Sequence, residues 1–403
     1  MRLLIVSQYF WPENFRINDL VAGLLARGHE VTVLTGLPNY PDGEIFQEFR
    51  LNPAAFADFN GADVVRVPLI ARGRRRIQLL LNYISFAVSA CIIGSWRLRG
   101  RTFDAIFVCQ LSPPTVALAG VILRALKKAP LAIWVLDLWP ESLRAVGVVR
   151  SRMLLRMIGQ LVSFMYNRCD LLLAQSKSFI PQIAQLCADS GKIVYFPSWA
   201  ESVFELDSEQ PAPEVPLRQG GFDVMFAGNI GAAQDFPAVL AAAEILQADG
   251  RIRWLLIGDG RMAGWVREQI GRRNLQHCVL MLGKYPVGRM PSFYRHAAAL
   301  LVSLKDEPIF AMTIPGKLQS YLAAGVPIVA MLNGEGADVV ERSRSGVTCR
   351  AGDARGLAAA VLQLASLSDE QRAQMGRNAR AVSASEFNRD RLIAELETRL
   401  EQL

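Results

Sequence analysis

Short apolar runs alternate with amphipathic stretches along nearly the whole chain. Residues 3–7 form the first run, which Trp11-Pro12-Glu13-Asn14 soon breaks. A run this short reads as a buried strand, not as the apolar core of a signal peptide. Residues 17–26 then place apolar side chains at helical spacing, and Gly28 suits the C-cap. Runs at 30–34, 64–68, 105–109, 131–136, 171–174 and 193–195 predict further strands. Strands separated by helices imply a parallel sheet covered on both faces.

The rhythm breaks at 205–220, where Pro211, Pro213 and Pro216 stand among charged residues, and this reads as a linker. A second series of strands follows at 223–226, 254–257, 279–282, 300–302 and 328–331. The expected organisation is therefore a first α/β domain over 1–204, a second over 221–385, and a final helix within 386–403. That helix carries Leu392, Ile393, Leu396 and Leu400 on one side. A length of 403 residues agrees with two domains at roughly 100–200 residues each.

Residues 77–96 carry no charge and lie between Arg72, Arg74, Arg75 and Arg76 on one side and Arg97, Arg99 and Arg101 on the other. Twenty uncharged residues match a bilayer's thickness, but Gln78, Asn82, Ser85, Ser89 and Ser95 interrupt them. A spanning helix here would split the first domain. A buried helix, or one that also docks on an anionic membrane surface, fits the pattern better.

Composition narrows the classes. The net charge is +7, yet the basic residues are scattered and no aromatic-basic motif for RNA occurs, so no nucleic-acid partner is expected. Cys91, Cys109, Cys169, Cys187, Cys278 and Cys349 form no close pairs, which fits a reducing compartment. Three histidines without metal-ligand spacing predict no metal site.

In open α/β sheets ligands bind beyond the carboxyl ends of the strands. After 223–226 comes Gly228-Asn229-Ile230-Gly231, and after 254–257 comes Gly258-Asp259-Gly260. Glycines there let backbone approach a phosphate, although a plain tight turn has the same composition. Thr313-Ile314-Pro315-Gly316-Lys317 opens a predicted helix, where first-turn amides and an ammonium suit a diphosphate. No G-x-x-x-x-G-K-[ST] motif and no G-x-G-x-x-G after the first strand are present, which disfavours P-loop NTPases and dinucleotide dehydrogenases. In the first half the corresponding loops are Gln8 to Arg16, Gly36 to Gly43, and Asp137 to Ser142. Glu13, Asn14, Arg16, Asn39 and Tyr40 are candidates for acceptor contact, and Asp137 and Glu141 for the reacting centre. Aromatic and carboxylate groups suit sugar recognition, while helix capping is the plainer use of Asp137 and Glu141.

Arg27-Gly28-His29-Glu30-Val31-Thr32-Val33 resembles the opening of GT-B glycosyltransferases. Pro315-Gly316-Lys317 with Tyr321-Leu322-Ala323-Ala324-Gly325-Val326-Pro327 resembles the donor-site helix of the retaining family 4 enzymes. The loops of the first half are similar to those of bacterial O-antigen and capsule enzymes of the N-acetyl-L-fucosamine transferase kind. The resemblance implies an α/β GT-B fold: two Rossmann-like domains facing across a cleft, with the C-terminal helix crossing back to the first. It implies a hexosyltransferase (EC 2.4) that is metal-independent, retaining and free of cofactor. The donor would be a nucleotide-sugar, UDP- ahead of GDP-, and the acceptor a lipid-diphosphate-linked glycan at the inner face of the cytoplasmic membrane. On the donor side the resemblance points to Gly228, Asn229, Gly231, Gly258, Glu307, Pro315, Gly316, Lys317 and Ser320.

The chain departs from the family pattern in two places. Two glutamates eight positions apart are replaced by Met312 and Ser320, and the basic pair after the first glycine loop by Asn229, Ala232 and Gln234. Diphosphate neutralisation would then rest on Lys317 and backbone amides. The lost glutamates also leave open a catalytically inactive scaffold of a polysaccharide complex. A UDP-sugar 2-epimerase shares the fold, but His29, His277 and His296 sit in no strand-end loop.

Overall fold

The computed structural model describes every residue except 42, 74–75, 146–150, 206–209 and 219. The chain divides into two compact units, Met1–Pro197 with Asp390–Leu403, and Ser198–Arg389.

The first unit is built on β1 (Arg2–Val6), β2 (Glu30–Gly36), β3 (Asp58–Phe59), β4 (Ala62–Val67), β5 (Ala105–Gln110), β6 (Leu131–Val135), β7 (Leu171–Ala174) and β8 (Ile193–Tyr195). Their order is β3-β4-β2-β1-β5-β6-β7-β8. Every pairing is parallel except β3 with β4. Helices cover both faces of such a sheet, so β5, β6 and β7 are buried at every position, which is why they read as unbroken apolar runs. The order reverses between β1 and β5, which marks the crevice where α/β sheets receive ligands.

The second unit holds β9 (Phe222–Ala227), β10 (Ile252–Ile257), β11 (Val279–Gly283), β12 (Ala299–Ser303), β13 (Ile328–Met331) and β14 (Gly346–Cys349). Their order is β11-β10-β9-β12-β13-β14, all parallel, with the reversal between β9 and β12. Apolar clusters flank the sheet, one around Phe236, Val239 and Leu357, the other around Tyr294, Leu318 and Tyr321.

The expected linker changes character, and two other expectations gain detail. Within 205–220, Ala212 and Val215 are buried in the second unit's core, and Arg289 holds Glu214 at 2.9 Å. The prolines hid two core positions in a segment with no periodicity. The helix Asp369–Glu386 belongs to the second unit, and the returning helix is Arg389–Glu401. It buries Leu392, Ile393, Leu396 and Leu400, and its Glu397 meets Arg27 at 2.8 Å and His29 at 3.0 Å. Finally, the apolar stretch 77–96 is a helix of the first unit, Arg76–Ser89, continued by a π-turn at Ala90–Gly94. Asn82, Phe86, Ala90 and Gly94 are its buried edge, where a Cβ on Gly94 would come within 2.9 Å of Leu34. Its other edge exposes Ile77, Leu80, Leu81, Ile84, Val88, Ile92 and Trp96. Arg74 and Arg75 lie outside the described residues.

Candidate functional site

β9 and β10 both run straight into glycines in the left-handed region: Gly228 and Gly258 have φ of 137° and Gly260 has 156°. A Cβ on Gly258 would lie 1.8 Å from the Gly228 carbonyl oxygen, so the two loops stack backbone on backbone. Ile230 N donates to Asp259 O at 2.8 Å and fixes that stack. Asn229 packs beside Gly231 and Gly260.

Lys317 enters this corner from the first turn of the helix Gly316–Ala324. Its Nζ donates to Gln234 Oε1 at 2.6 Å and lies 4.0 Å from the centre of the Phe226 ring. Its Cε would meet a Cβ on Gly228 at 2.4 Å. Burial lowers the ammonium to about 7, because little water remains to stabilise its charge. Gln234 is held in turn: Ser303 Oγ donates to its carbonyl at 2.7 Å, and Lys305 N donates to Ala233 O at 2.9 Å. The buried Tyr321 hydroxyl bonds both the N–H and the C=O of Ala227, locking the helix to the end of β9.

Five predicted residues, Gly228, Asn229, Gly231, Gly258 and Lys317, therefore come together at the carboxyl edge beside the β9/β12 reversal. Pro315 supplies no side-chain cap, and Gly316 is open, with nothing within 4 Å of its would-be Cβ. Ser320 sits one turn further along and donates to Gly316 O at 3.2 Å. Glu307 precedes the short helix Pro308–Ala311, two residues past the Lys305 amide. The sequence reading counted Gln234 as a missing base; the structure makes it the partner that positions Lys317. Phe226 gave no signal beyond its apolarity. The corner offers backbone, a buried cation and a helix start to an anionic group.

In the first unit the loops after β1 and β2 meet, but several candidates face inward. Glu13 is 3% exposed, and its carboxylate accepts from the amides of Asn39 at 2.8 Å, Tyr40 at 2.7 Å and Phe10 at 3.2 Å. Burial raises it while those three bonds pull it down. Arg66 donates to Gly36 O at 2.9 Å and to Trp11 O, binding the same loops. Asn39 is fully buried, its Oδ1 accepting from Arg72 N and its Nδ2 donating to Leu37 O, each at 2.8 Å. Glu13 and Asn39, expected to meet an acceptor, thus satisfy loop backbone instead. Tyr40 packs on Phe15 and Tyr9 and carries Arg72 at 5.2 Å, Arg16 is half-buried, and Asn14 is exposed.

Asp137 is half-buried and accepts from Ser142 Oγ and, at 3.2 Å, from Trp139 Nε1. Burial raises its carboxyl, and hydrogen bonds from Ser142, Ser112 and Trp139 oppose the rise. Glu141 starts the short helix Glu141–Ala145 and lines a groove apart from Asp137's bonds. The histidines stand elsewhere: His29 on Glu397, His277 near Asn274 O and His296 on Ala212 O, so none serves an epimerase at a strand end. Among the described residues no cluster of three or more metal-ligating side chains occurs.

Comparison with known proteins agrees with both units. A model described as glycosyl transferase 4-like domain matches residues 14–199, and one described as glycosyl transferases group 1 matches 221–366. The chain is 25% identical over 244 residues to the probable glycosyltransferase WbjE of Pseudomonas aeruginosa, covering 58% of this chain and 60% of that protein. It is 24% identical over 347 residues to the colanic acid biosynthesis glycosyl transferase WcaI of Escherichia coli K12, covering 81% and 82%. The crystal structure of Anabaena HepE in complex with UDP and glucose superposes over the full length of both chains, with a TM-score of 0.69 at 15% identity. The chain thus joins a glycosyl transferase 4-like domain to a group 1 glycosyl transferase domain on the two-unit α/β plan of the GT-B glycosyltransferases.

Proposed function

We propose that this protein is a metal-independent, retaining glycosyltransferase that moves a sugar from a nucleotide-sugar, UDP- ahead of GDP-, to a lipid-diphosphate-linked glycan in bacterial surface polysaccharide synthesis. The second unit takes the donor. The observation that carries this reading is Lys317 held by Gln234 and Phe226 against the stacked Gly228 and Gly258 loops. A departing diphosphate gains charge as the glycosidic bond breaks. A preorganised cation and the amides at a helix start stabilise that charge where it develops. The UDP in the HepE complex supports the choice of nucleotide. A donor of the N-acetyl-L-fucosamine type is the finer reading within this class.

The first unit takes the acceptor, with Asp137 beside the reacting sugar. It lies against the inner face of the cytoplasmic membrane through the exposed apolar edge of 77–96 and the arginines before it. A thermal-shift panel of UDP, GDP, ADP and CDP tests the donor half. A ligand at a hundred times its dissociation constant adds about 2.7 kcal/mol. UDP is expected to shift the transition most, and no shift with any of the four would sink the reading. Replacement of the family's glutamates by Met312 and Ser320 favours a second reading, an inactive scaffold; it predicts a UDP shift without turnover.

A further inference from the structure

A cavity of about 1090 Å³ lies within the first unit, between the helices Glu141–Ala145 and Arg152–Tyr166. Arg144, Arg152, Arg156, Gln160 and Ser163 line it, with Glu141 as the one acidic group. None of the three arginines forms an ion pair with a described residue. Three guanidiniums without an ion pair among the described residues, set around one concavity against one carboxylate, attract an anion that accepts paired hydrogen bonds, and phosphate does so.

The same helix carries a second feature on its next face. Arg152, Arg156, Gly159 and Ser163 follow one edge at spacings of four, three and four, toward the cavity. Roughly 100° further round, Met153, Met157 and Phe164 form an exposed apolar stripe, with Met153 74% exposed. Arg168 lies 3.8 Å over the Phe164 ring at its end. The helix Val116–Lys127 packs against this helix and against Arg76–Ser89, and it exposes Ile122 and Leu126. Three neighbouring helices thus expose apolar side chains, and one of them, Arg152–Tyr166, also lines the cavity. Exposed apolar area rimmed by cations belongs at a membrane interface.

We infer that this cavity binds the diphosphate headgroup of a membrane lipid, whose chain remains in the bilayer under the Met153–Met157–Phe164 stripe. The inference deepens the acceptor half of the proposed function and rests on it. It assigns Arg144, Arg152 and Arg156 to the lipid's diphosphate, leaving the sugar beyond it to the strand-end loops.

Co-sedimentation of the full chain with vesicles tests it. Three compositions are compared: phosphatidylcholine alone, phosphatidylcholine with phosphatidylglycerol, and phosphatidylcholine with a polyprenyl diphosphate at matched total charge. The parent protein should prefer the diphosphate vesicles. R152S/R156S should lose about tenfold or more of its affinity for them and much less for phosphatidylglycerol. R152K/R156K, which keeps charge without the paired donors, should fall between. M153S/M157S should weaken binding to all three. Equal binding by parent and R152S/R156S, or an equal loss on both anionic vesicles, overturns the site. So does inorganic pyrophosphate that competes as strongly as the lipid binds. The UDP thermal shift, read on every variant, reports folding and the second unit separately. A lost UDP shift with intact headgroup preference sinks the transferase reading alone, and a kept UDP shift without headgroup preference sinks the groove alone.

Discussion

An ammonium buried away from water gives up its proton more readily than an exposed one, and burial brings Lys317 down to about 7. In the unfolded chain the same group holds its proton to 10.5. Between these values the unfolded state binds more protons, so stability contributed here rises with pH across that window. A bound diphosphate favours the protonated form, so affinity runs the other way. UDP binding measured by calorimetry is expected to weaken between about pH 7 and pH 9, with proton uptake on binding. Lys317→Met should bind more weakly and with a flatter profile. Lys317→Ala should lower turnover at least tenfold, about 1.4 kcal/mol in the barrier; near-normal turnover would remove Lys317 from the mechanism. Glu13 makes a different prediction. Glu13→Ala strands three buried amides and should cost about 2–4 kcal/mol in denaturant unfolding, because its carboxylate joins the loops after β1 and β2. Polarity in a strand-end loop picked out Glu13 and Asn39, but polarity serves backbone satisfaction as readily as ligand contact. Gln234, 83 positions from Lys317, was visible only as a departure from a family pattern, since nothing local marks so distant a pairing.

At the scale of elements the glycine loops are the firmest part of the site. A Cβ on Gly258 would overlap the Gly228 carbonyl, and its φ of 137° excludes an L side chain. Gly258→Ala should therefore cost about 3 kcal/mol or more and abolish the UDP thermal shift; a stable variant with the parent's shift would show that the two loops need not stack. Most strands were legible because parallel strands are apolar along their whole length. β3 has two residues and β14 is half-buried throughout, so neither carried a recognisable run. The stretch 77–96 was legible as apolar, but its two edges were not. Asn82, which reads as an interruption, is a buried side chain that receives a hydrogen bond from Gln8 at 2.8 Å and donates one to Ile70 O at 2.7 Å.

At the scale of the molecule the second unit is a single continuous stretch, Ser198–Arg389, with its own core. Expressed alone it should fold cooperatively and keep the UDP shift. An unfolded product would show that its stability depends on the rest of the chain. The first unit is assembled from two separated stretches, and the helix Arg389–Glu401 buries four apolar side chains beside Arg27 and His29. This arrangement fixes the order of events at the ribosome. The first 197 residues emerge with one helix of their unit still unwritten, and the second unit's 192 residues, from 198 to 389, must be translated before it appears. At roughly 5–20 residues per second the wait is about 10–40 s. Through that interval the nascent first unit lacks the four apolar side chains that this helix buries, so its core closes only after the second unit has been made.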